Sequence, residues 1–205
     1  MKAKFITLEG IEGSGKTSSL KSITDLLDKK NISYIVTREP GGSSIGKELR
    51  AILLDPDTEI SPEVELMLML SDRKDHVEKI ILPNLEKGNW VVSDRFMDSS
   101  IAYQGGGRQL DKKLIISLTD YLNLPQPDLT LLFDLPVEVS LSRVKARGEL
   151  DRFEKEELEF HKRIRNTYLD LAKNNSNRIK IIDSSKKIES MLNNVKQAIE
   201  KLFSE

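Results

Sequence analysis

Residues 10–17 read Gly-Ile-Glu-Gly-Ser-Gly-Lys-Thr, a complete G-x-x-x-x-G-K-[ST] phosphate-binding loop. The loop directly follows an apolar run that ends at Glu9, and a helix is expected to begin near Lys16. Glycines let the backbone wrap so that successive N–H groups point at phosphate oxygens, and the helix adds the positive end of its dipole. A chance match in a glycine-serine loop would lack this strand and helix. The sequence therefore predicts that the chain binds a nucleoside triphosphate.

The phosphate-loop motif also gives individual residues their expected roles. Lys16 is expected to reach the β- and γ-phosphates of ATP, and the Thr17 hydroxyl is expected to hold Mg²⁺. The other residues predicted to contact ATP from this segment are Gly10, Glu12, Gly13, Ser14, Gly15 and Ser18.

The composition is typical of one compact enzyme domain. The chain has 205 residues, 32% of them charged, and a net charge of −1, so no bulk field favours nucleic acid or a membrane surface. The absence of cysteine excludes disulfides and thiolate metal sites. No apolar run approaches the ~20 residues that span a bilayer, and the first predicted strand leaves no room for a signal peptide. We expect a cytoplasmic protein with neither a nucleic-acid nor a membrane partner.

Five apolar segments rich in β-formers recur along the chain, separated by helical patterns: 4–9, 33–37, 90–94, 129–134 and 178–183. This alternation predicts an α/β fold with a five-stranded parallel sheet flanked by helices, the three-layer P-loop NTPase architecture, in a single domain over residues 1–205. No repeat or linker suggests a boundary.

Apolar residues at helical spacing are expected in the core. The last helix carries Ile188, Met191, Leu192, Val195, Ile199 and Leu202, and an earlier helix carries Leu114, Leu118 and Leu122. Glycine and proline clusters are expected to mark loops at 40–42, 105–107 and 125–127.

The third predicted strand ends in Asp94-Arg95-Phe96, at the edge of the sheet where open α/β folds bind ligands. An aspartate there can hold Mg²⁺ or orient an attacking oxygen. Arg95 can clamp a monophosphate through two hydrogen bonds. The alternative is a polar strand end without a role, but its place beside the phosphate loop favours a functional site.

Five co-linear segments resemble the motifs of bacterial thymidylate kinases. They are the phosphate loop from Glu9, the T-R-E-P-G-G run of residues 37–42, the D-R-F…S-S-I-A-Y-Q-G run of residues 94–105, the segment from Pro127 to Asp134, and the lid-like stretch of residues 146–152. The resemblance covers essentially the whole chain. It implies transfer of a phosphoryl group from ATP to dTMP, with Mg²⁺, giving dTDP for dTTP synthesis. It also implies a homodimer and a short helical lid at about 147–153.

The same resemblance implies roles for residues at the acceptor site. Basic side chains around the dTMP phosphate correspond to Arg38, Arg50 and Arg95. Contacts to the thymine base correspond to Arg73, Ser100 and Gln104. Tyr103 corresponds to the aromatic side chain beneath the deoxyribose, and Glu12 to an acidic contact with the 3′-hydroxyl. Carboxylates near Mg²⁺ and the transferring phosphate correspond to Glu39 and Asp94. The predicted dTMP contacts also include Pro40, Met69 and Ser99.

Met69 departs from the family pattern, which often places a phenylalanine there to stack on thymine. Methionine can cover a ring face, but ordinary core packing is an equal alternative for Met69 and the favoured one for Met67. We also expect a cis peptide bond between Glu39 and Pro40, because the chain must turn sharply after the second strand.

Phosphoryl transfer needs positive charge on the transferring group. The phosphate loop has Gly13-Ser14 where one branch of the family inserts an arginine, so the resemblance assigns this charge to Arg147 and Arg152 in the lid. The spacing of these two arginines alone favours a solvent-exposed helix face on which they pair with neighbouring acidic residues. The lid is expected to be mobile without nucleotide. Arg143, one turn before Arg147, is expected to stack on adenine.

The residues leave two other functions open. One is a kinase for another nucleotide or for a nucleoside on the same fold, although three arginines around the acceptor favour a phosphorylated acceptor. The other is a nucleotide-binding regulator or assembly ATPase without a small-molecule acceptor. The GTPase signature N-K-x-D and the transporter signature L-S-G-G-Q are both absent from the chain. Structural or surface roles are expected for His76 and His161.

Overall fold

The strands of the computed structural model, which describes residues 2–204, form a five-stranded parallel sheet in the order β2-β3-β1-β4-β5. The strands are β1 (Phe5–Glu9), β2 (Tyr34–Arg38), β3 (Trp90–Asp94), β4 (Leu129–Asp134) and β5 (Ile179–Asp183). Each predicted strand is found to within one residue at either end, because each apolar run is bounded by polar or turn-forming residues. The predicted α/β fold is confirmed.

Helices connect these strands and cover both faces of the sheet. They are α1 (Lys16–Lys29), α2 (Ser44–Leu54), α3 (Pro62–His76), α4 (Leu82–Glu86), α5 (Met97–Ser100), α6 (Lys112–Tyr121), α7 (Val137–Arg147), α8 (Leu158–Asn174) and α9 (Ile188–Glu200). Two π-helical segments join helices, Val77–Ile81 between α3 and α4 and Ile101–Gly107 after α5, and a 3₁₀ turn follows at Lys201–Ser204. Within residues 2–204, no helix is both long and apolar enough to cross a membrane.

The two faces of the central strand β1 have different partners. Ile6 and Leu8 belong to an apolar cluster with Ile23 of α1 and Val195 of α9. Because side chains alternate along a strand, Thr7 and Glu9 point to the opposite face. On that face, the Glu9 carboxylate accepts hydrogen bonds from Ser99 of α5 and Tyr168 of α8. Fully burying a side chain such as Ile23 contributes about 1.5–3 kcal/mol, so the apolar face anchors the sheet and leaves the polar face for a site.

The core residues predicted from the helical spacing are mostly correct, and the prediction is wrong at two positions. In α9, Met191, Val195 and Ile199 are buried, but Ile188 is 52% exposed because it is the first residue of the helix. In α6 the buried residue is Ile115, whereas Leu114 is 48% exposed. The prediction that these two side chains lie in the core is therefore wrong.

The glycines at 105–107 form part of a helix, so the predicted loop at this position is wrong. They end the π-helix Ile101–Gly107, which packs on α8. A Cβ added to Gly106 would collide with Thr167 Oγ1, and one added to Gly107 would lie 2.5 Å from the Phe160 ring. Glycine is needed here because two helices approach closely.

Residues 148–157, which include most of the predicted lid, contain turns where a short helix was predicted. Gly148 ends α7 with φ +120°, a conformation that glycine adopts readily. The Asp151 carboxylate then accepts hydrogen bonds from the N–H groups of Phe153 and Glu154, both at 2.9 Å. This side-chain turn competes with helix formation, so the lid is a turn segment between α7 and α8.

The order of the strands places the predicted site at one edge of the sheet. β1 lies beside β3, with Leu8 paired to Asp94, and the Arg95 N–H donates to the Leu8 carbonyl at 2.9 Å. The phosphate loop after β1 and the Asp94-Arg95-Phe96 turn after β3 are therefore neighbours.

Candidate active site

A cavity of about 300 Å³ opens at the carboxyl edge of β1, β2 and β3. Most of the predicted site residues line it: Glu12, Lys16, Thr17, Arg38, Glu39, Pro40, Arg50, Met69, Arg73, Asp94, Arg95, Ser99, Ser100, Tyr103, Gln104 and Arg147. Four further lining residues are outside the predicted set: Leu54, Asp151, Phe153 and Glu154. The structure thus brings six separate sequence segments to one cavity.

The phosphate loop wraps around the side chain of Lys16. The Lys16 ammonium is buried and donates to the carbonyls of Gly10 and Ile11, both at 3.0 Å. Gly10 has φ +137°, and a Cβ there would lie 2.5 Å from the Phe133 carbonyl oxygen, so only glycine fits. Burial and the nearby Arg95 guanidinium lower the pKa of Lys16.

Helix α7 supports the phosphate loop from outside the cavity. Ser140 Oγ donates to the Glu12 carbonyl at 2.5 Å, and Arg143 Nη1 donates to the Gly13 carbonyl at 3.0 Å. Arg143 therefore lies against the loop and outside the cavity lining. Ser18, on the first turn of α1, is exposed and also lies outside the lining.

Arg95 is held in one orientation by side chains from the phosphate loop, α5, the π-helix Ile101–Gly107 and α8. Its backbone has φ +73°, and its guanidinium donates to Glu12, to Ser99 Oγ at 3.2 Å, to Tyr103 Oη at 3.0 Å and to Tyr168 Oη at 3.3 Å. These contacts fix the Arg95 guanidinium, a permanent positive charge, at the wall of the cavity.

Glu12 is ionised at any working pH. Burial alone would raise the pKa of its carboxyl, but the positive charges of Arg95 and Lys16 outweigh burial and lower that pKa to about 2. The carboxylate thus lies between the cation of the phosphate loop and the cation of the β3 turn.

Glu9 is a buried acid directly behind this cluster, and no individual role was predicted for it. Its carboxyl accepts from the Phe96 N–H at 2.8 Å, from Ser99 Oγ at 2.6 Å and from Tyr168 Oη at 2.8 Å. Burial, reinforced by the charge of Asp98, raises the pKa of Glu9 to about 7. Its position at the end of β1, after an apolar run, is the sequence signal for a buried acid.

The T-R-E-P-G-G segment follows β2 and forms another wall of the cavity. The Glu39–Pro40 peptide bond is cis, so that prediction is confirmed. Arg50 Nη1 donates to the Pro40 carbonyl at 2.9 Å. The Gly41 N–H donates to Asp72 Oδ1 at 3.1 Å, and burial together with the nearby Glu39 raises the pKa of Asp72 to about 6.

Glu39 is fully engaged by two side chains of α3. Its Oε2 accepts from Arg73 Nε at 2.6 Å, and its Oε1 lies 2.9 Å from His76 Nδ1. His76 also lies 2.7 Å from Thr37 Oγ1 and is completely buried, which agrees with the structural role expected for it. Glu39 therefore orients Arg73.

Arg73 of α3 and Gln104 of the π-helix Ile101–Gly107 both line the cavity, at the end formed by these two helices. Arg73 Nη1 donates to Ser100 Oγ at 2.7 Å, and Arg73 Nη2 donates to the Phe96 carbonyl at 3.0 Å. Gln104 Nε2 donates to Glu65 Oε1 at 2.8 Å. Met69 lines this end, whereas Met67 is exposed, so the core packing favoured for Met67 is wrong.

The two predicted lid arginines have different environments. Arg147 lines the cavity and donates to the buried Glu154 carboxylate. Arg152 lies outside the lining, where it donates to the Leu53 carbonyl at 2.9 Å and to Glu65 Oε2 at 2.7 Å. The structure therefore brings Arg147 to the site and ties Arg152 to α2 and α3.

The residues around the phosphate loop fit a Mg²⁺ ion that is held partly by phosphate oxygens. Asp94 Oδ1 is buried and has no hydrogen-bond partner within residues 2–204, and Thr17 lines the same cavity. In the described part of the chain, no group of three or more His, Cys, Asp or Glu side chains could hold a metal ion. Mg²⁺ commonly binds through one or two protein ligands plus substrate phosphates, which is the arrangement these residues allow.

Comparison with known proteins gives one consistent result. The sequence model of the thymidylate kinase family matches residues 8–195. Thymidylate kinase from Carboxydothermus hydrogenoformans is 49% identical over 203 residues, covering 98% of this chain and 99% of that protein. Thymidylate kinase from Nitrosomonas eutropha is 43% identical, covering 99% and 95% of the two chains. The crystal structure of thymidylate kinase from Ehrlichia chaffeensis superposes with a TM-score of 0.77 at 31% identity and covers 100% of both chains.

Proposed function

Because the chain belongs to the thymidylate kinase family, we propose that its cavity residues carry out the reaction of that family in the roles given below. The enzyme phosphorylates dTMP to dTDP with ATP as the phosphate donor. Mg²⁺, the residue roles and the dimer are the proposed parts.

The phosphate loop binds the triphosphate of ATP. The N–H groups of Gly13, Ser14 and Gly15 and the dipole of α1 face the phosphates, and Lys16 contacts the β- and γ-phosphates. Arg143, which holds the loop at Gly13, is assigned to the adenine. Thr17 and Asp94 hold Mg²⁺, which when bound neutralises charge on the β- and γ-phosphate oxygens. Glu39 is left out of this ligand set because Arg73 and His76 engage both of its oxygens.

The opposite wall binds dTMP. Arg38, Arg50 and Arg95 surround its phosphate, and Tyr103 lies beneath the deoxyribose. The base lies at the end lined by Arg73, Ser100 and Gln104, with Met69 against the ring. All eight side chains face one cavity, which supports this assignment.

The nucleophile is an oxygen of the dTMP phosphate, which is already ionised, so the protein supplies neither a nucleophile nor a strong base. It aligns two anions and neutralises the charge between them. Arg147 is the lid arginine that lines the cavity, and we assign it the transition-state charge. Arg152 is assigned to anchoring the lid on Glu65.

The assignment depends most on one observation, that Lys16 and Arg95 face the same cavity from the segments that follow the neighbouring strands β1 and β3. A donor phosphate on one and an acceptor phosphate on the other are then adjacent. Steady-state ADP release with dTMP, dUMP, ribothymidine monophosphate and thymidine as acceptors tests it. We expect dTMP to be the best acceptor and thymidine to be inert. Turnover of ATP that is indifferent to every monophosphate would overturn the assignment.

We further propose that two copies of the chain associate through α2 and α3. These adjoining helices carry large apolar side chains that are each 45–50% exposed: Ile45, Ile52, Val64 and Met67. A second copy provides the same surface, and such self-complementary twofold contacts are the commonest in homo-oligomers. Sedimentation equilibrium is expected to give a dimer for the natural protein and a monomer for Met67→Glu. A monomeric natural protein would contradict the proposal.

A further inference from the structure

Glu65 is a completely buried acid behind the base end of the cavity. It belongs to α3, and three side chains from other elements donate to it. Gln104 Nε2 lies 2.8 Å from Oε1, Arg108 Nε lies 3.1 Å from Oε2, and Arg152 Nη1 lies 2.7 Å from Oε2. Glu65 lies outside the cavity lining, so it acts on a substrate only through these partners.

Arg108 and Arg152 determine which end of the Gln104 amide can face Glu65. A guanidinium only donates hydrogen bonds. Arg108 Nε reaches both carboxylate oxygens of Glu65, at 3.3 Å and 3.1 Å, so both oxygens act as acceptors. An amide has one donating and one accepting end. Gln104 must therefore turn its donating Nε2 toward Glu65, which leaves its accepting Oε1 for the cavity.

This orientation sets the hydrogen-bond pattern that the cavity offers a base. Arg73, held by Glu39, is a donor, and Gln104 Oε1 beside it is an acceptor. A 2,4-dioxopyrimidine such as thymine or uracil presents the matching pair, a C4 carbonyl that accepts and an N3–H that donates. Cytosine presents the reverse pair, with an amino group at C4 that donates and an unprotonated N3.

We propose that Glu65 is a positioning residue that selects the base, because it locks the Gln104 amide in the orientation that fits thymine and uracil and excludes cytosine. The proposal rests on the assignment of the acceptor site given above. It adds a residue that never contacts the nucleotide.

The test compares kcat/KM for dTMP, dUMP and dCMP in the natural protein and in Glu65→Gln, with competitive inhibition constants where turnover is too slow. An amide at position 65 can donate as well as accept, so Gln104 is free to flip. We expect the ratio of dTMP to dCMP efficiency to fall about tenfold or more, with dTMP and dUMP falling together. Glu63→Gln removes the same charge from an exposed position of α3 and is expected to leave the ratio unchanged.

A charge-conserving swap, Glu65→Gln with Gln104→Glu, keeps the prediction testable if the single variant does not fold. The carboxylate that the swap places on the π-helix accepts with both oxygens. One oxygen accepts from the new amide on α3, and the other accepts from the base N3–H. The swap is expected to restore the preference for dTMP to within about threefold of the natural ratio, because an acceptor is again fixed toward the base N3–H. Loss of that preference in the swap would overturn the proposal.

Two further outcomes separate this proposal from the assigned function. If Glu65→Gln lowers the efficiency with all three monophosphates by one common factor, Glu65 has only a structural role and the proposal is wrong. If the natural protein does not phosphorylate dTMP at all, the assigned function is wrong, whatever the role of Glu65.

Discussion

The guanidinium carbon of Arg95 lies 4.9 Å from the centroid of the Tyr103 ring, and Arg95 Nη2 donates to the Tyr103 hydroxyl at 3.0 Å. One side chain is assigned to the dTMP phosphate and the other to the deoxyribose. Their contact makes the phosphate clamp and the sugar platform one rigid unit, which lowers the entropy lost when the acceptor binds.

Replacing Arg95 should damage the acceptor site selectively. Arg95→Ala removes a bidentate charged contact, so we expect dTMP affinity to fall by about 2–3 kcal/mol, while ATP affinity stays within about twofold. Titration calorimetry with each nucleotide measures both values. Tyr103→Phe keeps the ring and loses only the hydroxyl, and should cost less. Equal weakening of ATP and dTMP would make Arg95 a structural residue.

The two lid arginines should differ in their effect on kcat. Arg147 lines the cavity and Arg152 does not, so Arg147→Ala should lower kcat by roughly 10³-fold or more, the range found for arginines that stabilise phosphoryl transfer. The fold-decrease in kcat caused by Arg152→Ala should be smaller than that caused by Arg147→Ala by a factor of at least about ten. Single-turnover kinetics with saturating dTMP measures the difference. The reverse order would assign the transition-state charge to Arg152 instead of Arg147.

Glu9 should make the protein less stable as the pH rises toward neutrality. In the unfolded chain its carboxyl ionises near pH 4.5, but in the folded protein its pKa is raised to about 7. Between these values the folded state binds the extra proton, so the free energy of unfolding falls with rising pH, by on the order of 3 kcal/mol in all. Glu9→Gln mimics the protonated acid and should remove this slope.

Urea denaturation of the natural protein and of Glu9→Gln, at about pH 5 and about pH 8, measures this slope. Asp72, whose pKa is raised to about 6, contributes a slope of the same sign in both proteins. The difference between them therefore isolates Glu9, and parallel profiles would refute the prediction.

Alanine at Gly107 should be far more destabilising than alanine at Gly105. A Cβ at Gly107 meets the Phe160 ring at 2.5 Å, whereas one at Gly105 meets the flexible Lys112 side chain at 2.9 Å. We expect Gly107→Ala to cost about 1–3 kcal/mol, as overpacking usually does, and Gly105→Ala to cost clearly less. Denaturant unfolding of both variants checks this, and equal costs would argue against a close helix contact at Gly107.

The local parts of this molecule could be predicted from the sequence. Each strand is an apolar run between polar boundaries, and the phosphate loop is a contiguous motif whose conformation depends on its own glycines. The turn at Glu39–Pro40 is likewise local. The resemblance to thymidylate kinases then identified the arginines around the acceptor. The structure places these residues, Arg38, Arg50 and Arg95, around one cavity.

Features that depend on distant partners could not be predicted. The glycines at 105–107 resemble a loop in sequence because the side chains of α8 that exclude a Cβ lie more than fifty residues away. Glu65 and Glu154 look like ordinary helix-surface acids until folding brings arginines to them. After the turn at Gly148, spacing no longer tells which lid arginine faces the cavity.

The pairing of Leu8 with Asp94 places the phosphate loop beside the acceptor loop. This backbone contact aligns the two phosphates, and it does not select the nucleobase. Two hydrogen-bonded strands about 4.8 Å apart set the distance between the donor and acceptor loops, and this distance is a property of the backbone and not of Met69 or Gln104 at the base end. Substitutions at Met69 and Gln104 can therefore reshape the base end while Tyr103 keeps its contact with Arg95 and the phosphates stay aligned. In protein engineering, this makes the acceptor base the most readily exchanged feature of the scaffold.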